Sequence, residues 1–69
     1  MEIIIDMFWD DEAKVWCATN DDICIALESE SYDKLVERVM LAAPEMAELN
    51  SVKISGLCFK SERRIPVPA

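Results

Sequence analysis

The chain has no histidine. That removes the side chain that most often moves protons near neutral pH. A cysteine or serine nucleophile would then need a lysine or carboxylate as its base, and no residue spacing supplies such a pair. Three cysteines are present, Cys17, Cys24 and Cys58, and none stands in a C-x-x-C arrangement. Without histidine they argue against a structural zinc site. Each lies in an apolar stretch, where a thiol is expected to behave as a small buried hydrophobe, and reduced thiols of that kind fit a cytoplasmic protein. The N-terminal run MEIIIDMFWD has no basic n-region and carries acids too early for a signal peptide. No apolar run approaches the ~20 residues of a membrane span. Basic residues are also scarce: seven against fourteen acidic ones, a net charge of −7. Such a surface repels phosphate, which argues against direct nucleic-acid binding and for a basic partner. The plainer reading is that the charge only keeps a small protein soluble.

What is present specifies a fold. Ser31–Asn50 carries apolar residues at Leu35, Val36, Val39, Met40, Ala43, Met46, Ala47 and Leu49. Spacings of three and four dominate, the period of a helix with one buried stripe. Ser31 is the expected N-cap, and Asp33 sits in the first turn near the positive end of the dipole. Pro44 would delete a hydrogen bond in a helix interior. The expectation is therefore a helix over 31–42, then a short second piece with Pro44 in its first turn. Asn50 is expected to stop it by taking the left-handed conformation.

The remaining apolar segments read as strands. In Glu2–Trp9, Ile3, Ile5, Met7 and Trp9 share one face, and Ile4 and Phe8 share the other with Glu2 and Asp6. Large apolar groups on both faces place this strand centrally, or under cover on both sides. Lys14–Thr19 follows after the acidic turn Asp10–Glu12, as an antiparallel hairpin. Asn20-Asp21-Asp22 is a second polar turn, and Ile23–Glu28 is the third strand. Ser51–Lys60 is the fourth; a bulge at Gly56 would bring Val52, Ile54, Leu57 and Phe59 to one face. The predicted class is α+β, a β-β-β-α-β order with one helix packed on one face of a small mixed sheet. The 69 residues are expected to form one domain, 1–69, with 61–69 either a flexible tail or an extension of an edge strand. One helix on one sheet makes a thin core and leaves the other face open, so self-association or a partner is expected.

The chemistry-bearing candidates are acids and aromatics. Asp10, Asp11, Glu12, Asp21 and Asp22, with Asp6, offer carboxylates that could hold Mg²⁺ for phosphodiester hydrolysis if they converged. The two acidic turns lie at opposite ends of the second strand, about 20 Å apart at ~3.4 Å per residue, and read better as solvated turns. Trp9 and Trp16 frame the first hairpin beside Phe8. Tryptophan is enriched at interface hot spots, and equally serves to cover a sheet. The candidate partner-binding set is Phe8, Trp9, Asp10, Asp11, Glu12, Trp16, Asp21 and Asp22; no catalytic, metal or cofactor residue is assigned.

The run F-W-D-x-E-A-x-V-W-x-A at Phe8–Ala18, the D-D-I at Asp21–Ile23, the L-x-E-x-x-x-x-x-x-P-E helix ending at Leu35–Glu45 and Leu49–Asn50 carry a family resemblance. Together they resemble a small bacterial domain of unknown function grouped with HicB-like antitoxins, over almost all of the chain. The resemblance implies a partial ribonuclease-H-like fold without its active site. It also implies a partner, a small basic HicA-like toxin that cleaves mRNA. HicB-type chains usually carry a D-x-P-G glycine after the second turn; here the stretch is Asp22-Ile23-Cys24-Ile25. Many also carry a C-terminal DNA-binding segment, which is not expected within these 69 residues. Three readings follow: a non-enzymatic cytoplasmic homodimer that binds a toxin-like partner, a solitary homo-oligomeric module, or a metal-dependent nuclease.

Overall fold

A computed structural model of the chain describes residues 1–62 and Val67. Its elements are β1 (Glu2–Asp10), β2 (Val15–Asn20), β3 (Ile25–Ser29), α1 (Tyr32–Leu49) and β4 (Gly56–Glu62). The class is α+β and the order β-β-β-α-β, as the sequence predicts. The sheet runs β3-β2-β1-β4. β1–β2 and β2–β3 are antiparallel, and β4 returns parallel to β1. A parallel return needs a crossover connection, which α1 supplies.

Alternation along β1 sorts its side chains. Ile3, Ile5 and Met7 are at most 1% exposed, whereas Ile4 is 51% and Phe8 41% exposed. The strand is central, as its two-sided apolar pattern predicts, yet only one side is covered by the described residues. Leu35, Val39, Ala43 and Ala47, four residues apart on α1, close that side together with Ala18, Ile23 and Ile25. α1 lies over β3 and β2. Val52, Ile54, Leu57 and Phe59 fill the flank beside β4 at partial burial.

The helix differs from expectation at Pro44. It is one continuous element to Leu49, with Pro44 inside it. Pro44 and Met40, whose carbonyl loses its donor, are both exposed. The missing bond therefore falls on the wet side, where water satisfies the carbonyl, while buried Ala43 and Ala47 hold the final turns down. The N-terminus follows expectation: Ser31 is extended, and its hydroxyl accepts the Lys34 N–H at 3.4 Å.

At the C-terminus Asn50 ends the helix but is not left-handed; Ser51 is, at φ 55°. The Val52 N–H donates to the Ala47 carbonyl at 2.8 Å and the Ser51 N–H to Glu48 at 3.2 Å, the two bonds of a Schellman cap. Asn50 contributes through its amide instead, donating to the carbonyls of Met46 and Ile23.

The predicted fourth strand starts too early and has no bulge. Residues 51–55 are irregular and pairing begins at Gly56, opposite Glu2. The four apolar residues still meet the core, because the loop hands Val52 and Ile54 to it before the strand sets its own phase. Strand ends shift elsewhere: β1 extends to Asp10, β2 runs Val15–Asn20, and β3 begins at Ile25, leaving Ile23 buried in the preceding turn. Ser61 and Glu62 of the predicted tail belong to β4; the rest, apart from exposed Val67, lies outside the described residues. The cysteines are another correction. All three are free thiols, Cys17 half-buried and Cys24 and Cys58 exposed, because Cys17 and Cys58 face away from the helix and Cys24 sits in a turn at φ 53°.

Candidate partner-binding surfaces

The structure gathers most of the predicted residues at the β1–β2 hairpin end. Trp9 and Trp16 are register partners whose ring centroids lie 5.7 Å apart at 66°. Tyr32, the first residue of α1, joins them edge-on at 5.0 Å from Trp16. Its hydroxyl hydrogen-bonds Ser61 of β4. Edge-to-face pairs of this kind contribute about 0.5–1.5 kcal/mol each beyond their burial. Four elements, β1, β2, α1 and β4, are thus pinned at one corner. Periodicity did not single out Tyr32, since an aromatic at a helix start signals nothing until the sheet is placed beneath it.

The acids here do structural work. One Asp10 carboxylate oxygen accepts the N–H groups of Glu12 and Ala13 at 3.1 and 3.2 Å. The Lys14 N–H closes the turn on the Asp10 carbonyl at 2.8 Å, with Lys14 left-handed at φ 58°. Asp11 accepts the Trp9 indole N–H at 3.2 Å and pairs with the Lys14 ammonium at 3.0 Å. Both ends of that pair are exposed, so its contribution is about 0–1 kcal/mol. Glu12 is exposed beside them.

Asp21 and Asp22 are not part of this corner. They sit exposed at the far end of β2, in the turn before β3. Asn20 builds that turn, accepting the Ile23 N–H at 3.0 Å and donating to the Ile4 carbonyl at 2.8 Å. Among the described residues no three Cys, Asp or Glu side chains gather closely enough to hold a metal ion.

Phe8 stands apart from the tryptophans, on the opposite face of β1. There the register places Phe8 beside Cys17, Ile4 beside Cys58, and Asp6 between Thr19 and Lys60. Ala26 and Glu28 complete the row on β3. Partial burial pushes the Cys17 thiol up from its ordinary pKa, and the nearby Asp10 and Glu28 carboxylates push it the same way. It therefore stays protonated at neutral pH, a poor nucleophile. On the helix side, a groove of about 670 Å³ opens where the buried stripe shrinks to Ala43 and Ala47; Pro44, Val52, Ile54 and Leu57 also line it. Its walls are aliphatic and its rim carries Glu48 and Lys53.

A family model described as a domain of unknown function (DUF1902) matches residues 2–62. Among solved structures, the fold is similar to that of the hypothetical protein TTHA1013 from the extremely thermophilic bacterium Thermus thermophilus. The two are 27% identical over 100% of both chains, with a TM-score of 0.75. No curated protein matches the chain. Among the described residues, no helix is long and apolar enough to cross a membrane.

Proposed function

The chain belongs to the DUF1902 family of domains of unknown function, and from that premise we propose that it is a non-catalytic, cytoplasmic protein-binding domain of the HicB antitoxin kind. Its partners on this reading are a small basic toxin resembling HicA and a second copy of the chain. The observation that carries it is the corner where Trp9 and Trp16 meet Asp10, Asp11 and Glu12, in a chain of net charge −7. Aromatic anchors beside carboxylates match what a basic protein surface offers: alkyl stems to pack and cations to pair. Three free thiols and no histidine agree with a reduced, non-catalytic role. Co-expression with the product of the neighbouring gene tests the proposal. A small basic protein that co-purifies, and is lost on Trp9→Ala, supports it; if neither neighbour encodes such a protein and none co-purifies, the toxin-masking reading fails.

A second reading, a solitary homo-oligomeric module, is favoured by one observation, the exposure of Ile4 and Phe8 on the side of the sheet that no described element covers. Light scattering separates the readings in part. A chain that stays monomeric at high micromolar concentration counts against this second reading and against the dimer in the first. The nuclease reading has the least support, since its carboxylates stand at opposite ends of β2.

A further inference from the structure

We propose that the face of the sheet turned away from α1 is the docking surface for the basic partner, and that its occupant is a protein segment with apolar side chains flanked by lysine or arginine. This rests on the basic-partner reading above and names where such a partner sits. The surface is built by register. Ile4, Phe8, Val15, Cys17 and Cys58, with the methyl of Thr19, form its apolar part, and the two largest stand on either side of Asp6 on β1. Isolated exposed apolar residues are ordinary, but here Phe8, Cys17 and Val15 adjoin across β1 and β2, and Ile4 adjoins Cys58 across β1 and β4, with the charged pair Asp6 and Lys60 between the two groups.

Charge decides between occupants. Glu2, Asp6, Asp10 and Glu28 share this face, and Lys60 is the one cation that the described strands place on it. Two copies stacked through this face would set one excess of carboxylates against another and desolvate both. A segment presenting lysines or arginines around an apolar strip meets both features at once. Four strands at ~4.8 Å spacing and about 20 Å of length offer on the order of 400 Å². That is about half the area per partner of a standard interface, the size of an exchanging contact. The candidate corner adjoins it through Asp10, which lies on this face and caps the hairpin turn.

The test is an amide chemical-shift titration of the intact chain with an alternating lysine–valine heptapeptide, with a glutamate–valine heptapeptide as control. The expected result is saturable binding of the lysine peptide alone. Shifts should centre on Ile4, Phe8, Cys17, Thr19 and Cys58. Affinity should fall at least tenfold in Phe8→Ser and Ile4→Ser, which keep their fold by circular dichroism, and severalfold in added salt. Saturable binding with shifts confined to the Asp10–Lys14 turn or the Ala43–Leu57 groove overturns this face while leaving a basic partner in place. No saturable binding, or equal binding of the glutamate peptide, overturns the proposal itself. Shifts on this face that grow with protein concentration before any peptide is added assign it to a second copy and overturn the stated occupant.

Discussion

The two sides of one sheet received similar side chains and different fates. On β1, Ile3, Ile5 and Met7 point to α1 and are sealed; Ile4 and Phe8, one residue out of phase, stand 51% and 41% exposed. The inner side is closed by the chain's own helix, through an aliphatic stripe with no buried polar or charged side chain among the described residues. The outer side mixes apolar groups with carboxylates, and no described element lies over it. A strand that is apolar on both faces thus marks two interfaces. The number of helices decides how many of them the chain can close by itself.

Mutation separates the sides. Ile5→Ala or Leu35→Ala removes a fully buried side chain, and is expected to lower unfolding free energy by about 2–5 kcal/mol. Ile4→Ala on the same strand should cost the isolated chain well under ~1 kcal/mol. Urea denaturation of the three variants checks this; equal losses would mean that the outer side is as closed as the inner.

Much of this was legible in the sequence, because period and phase carry it. The four strands, the helix, the Ser31 cap, the central place of β1 and the framing of the first hairpin by Trp9 and Trp16 all follow from alternation and spacing. What was missed depends on partners distant in sequence. Pro44 survives inside α1 because the lost bond lies on the exposed side, and propensity does not know which side is wet. Gly56 invited a bulge, but an added Cβ there would meet nothing within 4 Å, and its φ is not positive. The left-handed positions fall instead on Lys14, Cys24 and Ser51, where composition gives no sign of them. Of the candidate site, the hairpin corner was visible as a cluster in sequence. Tyr32 and the outer-face row of Asp6, Thr19 and Lys60 were not, because only strand order assembles them.

The misplaced glycine gives two smaller tests of how the covered side is held. Ser51→Gly relieves a left-handed residue in the cap that seats Val52 on the core, and should raise stability by about 0.5–1 kcal/mol. A loss would mean that the Ser51 side chain matters to the cap. Gly56→Ala fits the open space at the start of β4, and is expected to gain a few tenths, at most ~1 kcal/mol, in the same denaturation assay. A clear loss would show that something approaches β4 there.

Thiol chemistry reads the outer side directly, since Cys17 and Cys58 lie on it and Cys24 lies in the β2–β3 turn. In the free chain half-buried Cys17 should react more slowly near pH 8 than exposed Cys24 and Cys58, since it is less accessible and its own thiol is pushed up from its ordinary pKa. The deciding measurement is the alkylation rate of each cysteine with and without the lysine–valine peptide at saturation. The account predicts slowed labelling of Cys17 and Cys58 and an unchanged rate at Cys24. Unchanged rates at Cys17 and Cys58 with bound peptide, or protection at Cys24 alone, would contradict it.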